Sequence, residues 1–323
     1  MAKGTQQYEG IAASDLTGEP EPAGASRHRI RRSLPARFWA NILVRIGGCA
    51  LTVVLLLGIF APWLGTVDPN TGDFMNINVT AGTRGDFTLF SGQTVAHTYW
   101  MGSDNVGRDI YSRLLYGTRV SLAIGALVGL VAVVVGTLIG ILSGYFRRLD
   151  GFLMRLMDAV MAIPGILLAV ALVAFWRGGM ATVVFSIAIT EIPRVARLVR
   201  SVVLSVREEA YVEAAIALGT PVHKILWRHV LPNAVAPLIV QGTFICAAAI
   251  LIEATLSFLG IGLPAEIPTW GSVMSGGRVQ FTERPDVVLF PGLFLALTVL
   301  SINLLGDGLR DTLDPKFNKR GLL

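Results

Sequence analysis

The chain is short of charge. Asp, Glu, Lys and Arg make up 15% of its 323 residues and hydrophobic residues 53%, whereas soluble domains carry about 25% charged residues. With a mean hydropathy of +0.62, this excludes an ordinary soluble globule and implies an integral membrane protein whose excess apolar surface meets lipid. Cysteine is scarce as well. Cys49 and Cys246 both lie in apolar runs, which leaves no disulfide framework and no metal-ligand spacing. His28, His97, His223 and His229 form no HxxH or HExxH pattern. No GxxxxGK[ST] phosphate loop and no nucleophile–base pairing is found. The chain therefore reads as no enzyme, with no catalytic residue, metal or cofactor of its own. The net charge of +5 is not a nucleic-acid signal, because the basic residues cluster beside the apolar runs.

What is abundant is apolar sequence in long runs. Residues 1–36 read as a disordered basic tail. A first run, about Ile42 to Leu64, is long enough to span and too long for a signal-peptide core. Arg27, Arg29, Arg31, Arg32, Arg37 and Arg45 crowd its start with no acidic residue among them, which predicts a cytoplasmic amino terminus. From Gly65 to about Asn105 the chain is polar, with Asp68, Asp73, Asp86 and Asp104 against Arg84 alone. Short β-like runs at Phe74–Thr80 and Phe87–Ala96 predict a small extracytoplasmic domain there. Gly107–Tyr116 reads as an amphipathic interfacial turn or helix.

Further spans are predicted at about Val120–Tyr145, Leu156–Trp176 with a kink at Pro164, Met180–Ile192, Ala234–Leu256 and Val287–Leu305. The fourth is marginal alone and is expected to run on past Pro193 as the helix bearing Arg194, Arg197 and Arg200. In the second, glycines 125, 129, 136, 140 and 144 fall within about a 100° arc at 100° per residue, a small-residue face for close helix packing. The outside connections are the turn at Trp176–Gly179 and a Gly- and Pro-rich loop, Ser257–Asp286. The inside connections are basic, and the tail beyond 312 carries Lys316, Lys319 and Arg320. The count is six spans with both termini cytoplasmic. No internal repeat is visible, which weighs against a carrier built on inverted repeats.

Between spans four and five lies EAAIALGTPVHKILWRHVLPN, Glu213–Asn233. High-propensity residues predict a helix from about Glu208 through Leu218. Gly219 supplies the left-handed residue that ends it, Thr220 a cap for the next, and Pro221 its first turn. The second helix is expected to end at Pro232. A plain surface loop between spans fits the same residues. The ionisable residues within the spans are few, and such groups are costly in lipid and often functional. Asp158 suits an ion pair with Arg155, Arg194 or Arg197, or a gating role. Glu191, beside Pro193, suits a gate or substrate contact near a helix break. Glu253 is expected to face water or the pathway at the outer end of its span. They are too scattered for a proton relay.

The stretch resembles the EAA loop of ABC-importer permeases, through Glu213, Ala214, Ala215, Gly219, Leu231 and Pro232, with His229 where many members have an apolar residue. RHVLPN at that place resembles the dipeptide and oligopeptide subgroup. Other segments agree: MGSDNVGRDIYSRLLYGTRVSL before span two, RLMDAVMAIPGILLA in span three, ARLVRSVVLSVREEAYVEAA before the loop, ILIEATLSFLGIGLP after span five, and FPGLFLALTVLSINLLGDGLRDTLDP at the end. Together they cover about Arg37 to Pro315 and are similar to the C-type permease subunit of dipeptide and oligopeptide importers, a binding-protein-dependent inner-membrane component. Ile192-Pro193-Arg194 departs from the family, which usually has an aromatic-containing segment there.

The resemblance implies an all-α polytopic membrane protein of the prokaryotic inner membrane. Its fold would be the six transmembrane helices of the type I ABC-importer permease, with a small extracytoplasmic domain between spans one and two. The domains would be a tail 1–36, a first helix plus extracytoplasmic segment 37–106, a permease domain 107–312 with its coupling loop at 208–233, and a tail 313–323. It also implies partners: a second permease subunit, one or two ATPase subunits holding ATP and Mg, and an extracytoplasmic substrate-binding protein. Glu213, Ala214, Ala215, Gly219, His229, Leu231 and Pro232 would couple to the ATPase. Dipeptides or oligopeptides are the implied cargo. Nickel, glutathione and oligosaccharide fit the same architecture. An ion-gradient transporter or channel, and a non-transporting scaffold or antimicrobial-peptide sensor, are the rivals of other classes.

Overall fold

The computed structural model describes residues 38–89, 91–176 and 179–313; the expected amino-terminal tail, most of the carboxy-terminal tail and Arg177-Gly178 lie outside them. Ten helices are used below. α1 is Ile42–Ile59, α2 Ile110–Tyr145, α3 Arg147–Ala162, α4 Gly165–Trp176 and α5 Met180–Arg207. α6 is Ala210–Ala217, α7 Val222–Ile225, α8 Leu231–Phe258, α9 Trp270–Gly277 and α10 Asp286–Leu313. Four helical stretches are long and apolar enough to cross a bilayer: α1, α2, Val222–Phe258 and α10. The pair α3–α4, bent by 90°, makes a fifth if it counts as one span. α5 is long enough, but Glu191, Arg194, Arg197 and Arg200 break its apolar character.

α2 is the central element. Asp109 caps it, its carboxylate accepting from the Ser112 amide. The glycine face packs as expected, and it does so against two helices. A Cβ on Gly136 would stand 2.5 Å from Val195 Cβ, and one on Gly144 2.7 Å from Val203 Cβ, both on α5. Toward the other end, a Cβ on Gly125 would stand 2.6 Å from Ile250 on α8. Missing side chains thus let α2 seat on both partners at backbone distance. Ile124, Val128, Val183, Ile187, Val195, Ile245 and Ala249 close a core among α2, α5 and α8. α1 lies on α10, where a Cβ on Gly47 would meet the Ser301 carbonyl at 2.6 Å. Arg119 of α2 donates to the Gly58 and Ile59 carbonyls at 2.6 and 2.8 Å, closing the end of α1.

The run Leu156–Trp176 is not one kinked helix. Pro164 cannot donate its missing N–H, and the chain breaks there into α3 and α4. By contrast α5 runs unbroken through Pro193, so Glu191 sits at no helix break.

The segment between α1 and α2 has less strand than expected and in other places. Phe74–Asn76 is a 3₁₀ turn capped by Asp73. The strands are β1, Thr83–Thr88, and β2, Thr94–Tyr99, antiparallel with Thr83 opposite Tyr99 and Thr88 opposite Thr94. Asp73 draws the turn and hairpin together, accepting from the Met75 and Thr88 amides. Phe87, His97 and Tyr99 pack edge-on beneath the hairpin. Burial and the nearby carboxylates of Asp73 and Asp109 push the Tyr99 phenol up to about 12. Two arginines fasten this segment to the helices. Arg113, 1% exposed, donates to the carbonyls of Pro69 and Ala265 at 3.0 and 2.9 Å. Arg284 donates to the Asn78 carbonyl and pairs with Asp286.

Candidate coupling segment

α6 begins two residues later than the composition predicts, with Glu209 at its N-cap. It ends as expected. Gly219 has φ +75°; its amide donates to Ile216 O at 2.9 Å and the Thr220 amide to Ala215 O at 3.0 Å. This is the Schellman pattern, which satisfies carbonyls the helix end leaves free. Thr220 caps nothing; Pro221 holds the N-cap position of α7 in extended conformation.

Pro232 does not end the second helix. Leu226–Val230 is a π turn, with the Leu231 amide reaching back to Leu226 O, and it leads straight into α8. The wider turn makes room for the proline, whose missing N–H and bulky ring strain an ordinary α-helical turn. Short helix, π turn and span therefore form one helical stretch, Val222–Phe258.

One side of the segment is anchored and the other is open. Val212, Ile225, Val230 and Ala234 are each 1% exposed in the core that α2, α5 and α8 share. Glu213, Ala214 and Gly219 are exposed, Ala215 is half-buried, and Leu218 and Trp227 are 86% and 72% exposed. Glu213 lies in the first turn of α6, where the helix dipole favours a carboxylate. His229 is half-buried with its ring 5.6 Å from Tyr211, and its carbonyl accepts from Asn233 Nδ2 at 2.6 Å. Its ring contact with Tyr211 links α6 to the π turn. Leu231 is half-buried and Pro232 exposed. Pro232 helps line a groove of about 650 Å³ between α5, α8 and α10, with Gln241 and Arg310 among its polar walls.

The three candidate gate residues stay apart from this segment and from one another. Asp158 on α3 accepts from Arg197 Nη2 at 2.6 Å, one of the partners expected of it. Glu191 is 3% exposed and accepts from Arg194 at 2.7 Å within α5. Glu253 does not face water. It is fully buried and accepts from Ser257 Oγ at 2.7 Å, with the Thr269 side chain beside it. Sequence reading missed a third α5 pair: Arg200 grips Asp150 with two hydrogen bonds, 2.6 and 2.7 Å. The i, i+3, i+6 spacing of Arg194, Arg197 and Arg200 was the available signal. Also missed was α9, tucked into the expected outside loop. Its reciprocal cap between Thr269 and Ser272 follows the capping-box spacing, and Trp270 behind it is fully buried. Among the described residues, no group of three His, Cys, Asp or Glu is placed to hold a metal.

The fold defines a multi-pass helical membrane component. A family model described as "binding-protein-dependent transport system inner membrane component" matches residues 132–319. A probable peptide ABC transporter permease of Sinorhizobium fredii is 45% identical, over 96% of this chain and 99% of that one. A dipeptide transport system permease of Alkalihalophilus pseudofirmus is 40% identical, over 85% and 86%. A glutathione transport system permease of Pectobacterium atrosepticum is 41% identical, over 86% and 90%. Solved inward-facing structures of the MetNI methionine ABC transporter include a chain that superposes with TM-score 0.53, at 21% identity, over 62% of this chain and 96% of that one; this similarity concerns the fold. The chain belongs to the family of binding-protein-dependent transport system inner membrane components. It is a permease component of an ABC importer, a system that includes ATPase and substrate-binding partners.

Proposed function

We propose that this permease imports dipeptides or oligopeptides, and that Glu213–Asn233 is where it receives the ATPase. The observation that carries the coupling assignment is the build of the segment: α6, an open helix ended by Gly219, turns a fixed corner into the unbroken helical stretch Val222–Phe258. The small pair Ala214-Ala215 allows close approach of a partner, and Glu213 can accept charge-assisted hydrogen bonds from it. ATP and Mg are held by the ATPase, so this chain contributes no catalytic residue. When the ATPase pair closes, α6 is drawn with it and the π turn passes the movement into α8. The spans then exchange between inward- and outward-open states, a two-state transition biased by nucleotide.

In this reading α5 crosses the bilayer despite its charges, which gives six spans and cytoplasmic termini. The segment 65–105 is a small extracytoplasmic domain facing the substrate-binding protein. The domain limits are those expected above, 1–36, 37–106, 107–312 and 313–323. The pathway runs between this chain and a second permease subunit, with one or two ATPase subunits beneath. Asp158, Glu191 and Glu253 act as supports rather than gates, since the first two are held by α5 arginines and the third is shut away from water.

Peptide cargo is supported by the names of relatives that share most of this chain's length. Glutathione is the second reading, supported by the glutathione-transport relative. Uptake of labelled dipeptide, oligopeptide and glutathione by cells with and without the gene tests both. Loss of dipeptide or oligopeptide uptake alone supports the first, loss of glutathione uptake alone the second, and retention of all three contradicts the cargo assignment.

A further inference from the structure

We infer that α5 turns a polar stripe, Arg194, Arg197, Ser201 and Ser205, toward the water-filled transport path, and that the groove beside it between α5, α8 and α10 belongs to the same wall. The inference rests on the six-span reading proposed above and deepens it, by naming the face of this chain that a polar cargo passes.

The level of the stripe follows from how α5 lies on α2. A Cβ on Gly136 would meet Val195, one on Gly140 the Ala196 carbonyl, and one on Gly144 Val203, so the two helices run side by side in the same direction. From Val120 to Tyr145, α2 carries no charged residue. At 1.5 Å per residue, Gly136 stands about 14 Å from Tyr145 and about 24 Å from Val120. Arg194, next to Val195, is therefore level with apolar sequence well inside a hydrocarbon core of roughly 30 Å. Arg197 lies one turn further toward α6.

At this depth the chain shows two open faces of opposite character. On α2, Leu130, Val134 and Leu138 are exposed and suit lipid. On α5, the side chains of Arg194 and Arg197 are 55% and 46% exposed. Each has a carboxylate partner, Glu191 and Asp158, yet the Asp158 side chain is itself 61% exposed, so pairing does not withdraw the charge from the surface. Ionised groups half open to hydrocarbon are costly, and within membranes they face a bundle interior or water. At 100° per residue, Arg194, Arg197, Ser201 and Ser205 fall within about an 80° arc, and both serines are exposed. The stripe thus stays polar from mid-membrane to the α6 corner, while Val195, Val199 and Val203 on the other side of α5 are fully buried. Leu198, one turn on from Arg194, lines the groove of about 650 Å³. Gln241, another of its walls, stands about 15 Å beyond Leu231 along α8. A polar stripe and a polar-walled groove that run together into the membrane from the α6 end are what the passage of a hydrated, charged cargo requires. Lipid, or a tightly packed apolar helix, would leave the same groups without water.

The test uses the assembled transporter in lipid nanodiscs, with and without ATP. In a Cys49→Ala, Cys246→Ala background, with the partner subunits also free of cysteine, Arg194→Cys, Leu198→Cys and the lipid-facing reference Leu138→Cys each carry a spin label. Collisions of the label with oxygen and with a water-soluble nickel chelate are measured. Nickel collision at Arg194→Cys and Leu198→Cys should be at least about threefold more frequent than at Leu138→Cys in one of the two nucleotide conditions. Leu198→Cys leaves both ion pairs intact and carries the test should Arg194→Cys fail to fold. Strong oxygen and weak nickel collision at the α5 positions in both conditions places the stripe in lipid, and weak collision with both reagents places it against protein; either result overturns the inference. Nickel collision as strong at Leu138→Cys as on α5 puts that level of α2 in water, and overturns the six-span reading beneath the inference rather than the choice of face alone.

Discussion

Gly219 and Gly140 show how one residue type serves two ends. Gly219 has φ +75°, and a Cβ there would meet nothing within 4 Å. Gly140 is helical, and a Cβ there would stand 2.6 Å from both the Ala196 carbonyl and Val199. Gly219→Ala therefore acts through backbone strain of about 1 kcal/mol, confined to the corner. Uptake and nucleotide-driven coupling should fall while the thermal midpoint in detergent barely moves, and Gly219→Asn, which tolerates this conformation better, should recover part of the uptake. Gly140→Ala acts through overpacking of about 1–3 kcal/mol. It should lower the thermal midpoint and the yield of folded protein. A matching loss of midpoint in both variants would contradict this division. Glu213→Lys reverses an exposed charge without disturbing the core; the protein should reach the membrane normally yet lose uptake, read as transport per folded molecule.

Among elements, the π turn and the β1–β2 hairpin matter most. Pro232→Ala restores the missing N–H and allows Leu226–Val230 to relax toward an ordinary α-helical turn. The expected result is a folded permease with reduced coupling, seen as ATP hydrolysis retained and uptake lowered in reconstituted vesicles. On the other side of α2, Arg113→Ala would strip two carbonyls of a charged donor, at a cost of about 1–3 kcal/mol each if they stay buried. Limited proteolysis should then cut within residues 65–105 sooner than in wild type. The α6 corner was legible in the sequence because Gly219 marks a local backbone requirement. The glycine face of α2 was legible because its period is helical. The end of the second helix was misread because local preference assigns Pro232 to a break, whereas the anchoring of Val230 and Ala234 in the core keeps the chain helical. The strands were misplaced because Phe74 and Met75 look β-like, while the Asp73 carboxylate, whose partners lie up to 15 residues away, turns the chain there.

At the scale of the whole molecule, family, helical class and membrane setting were all readable from composition and ordered segments. Tertiary pairing was not. The three carboxylates held by α5, the burial of Glu253 and the position of α9 depend on which helices meet, and a single chain's hydropathy does not encode that. The span count is open to direct measurement. Reporter fusions at Phe146 and at Leu259 should report the inside and the outside, respectively, if α5 crosses; the same side for both would contradict six spans. The central claim, that this permease receives its driving force at α6, is tested most directly by cross-linking. In a Cys49→Ala, Cys246→Ala background, Ala214→Cys in membranes holding all subunits should cross-link to an ATPase subunit, with a yield that changes when ATP is bound. No cross-link to an ATPase at Ala214, with a cysteine at Thr98 on the β1–β2 hairpin giving one instead, would contradict both the coupling assignment and the orientation on which it depends.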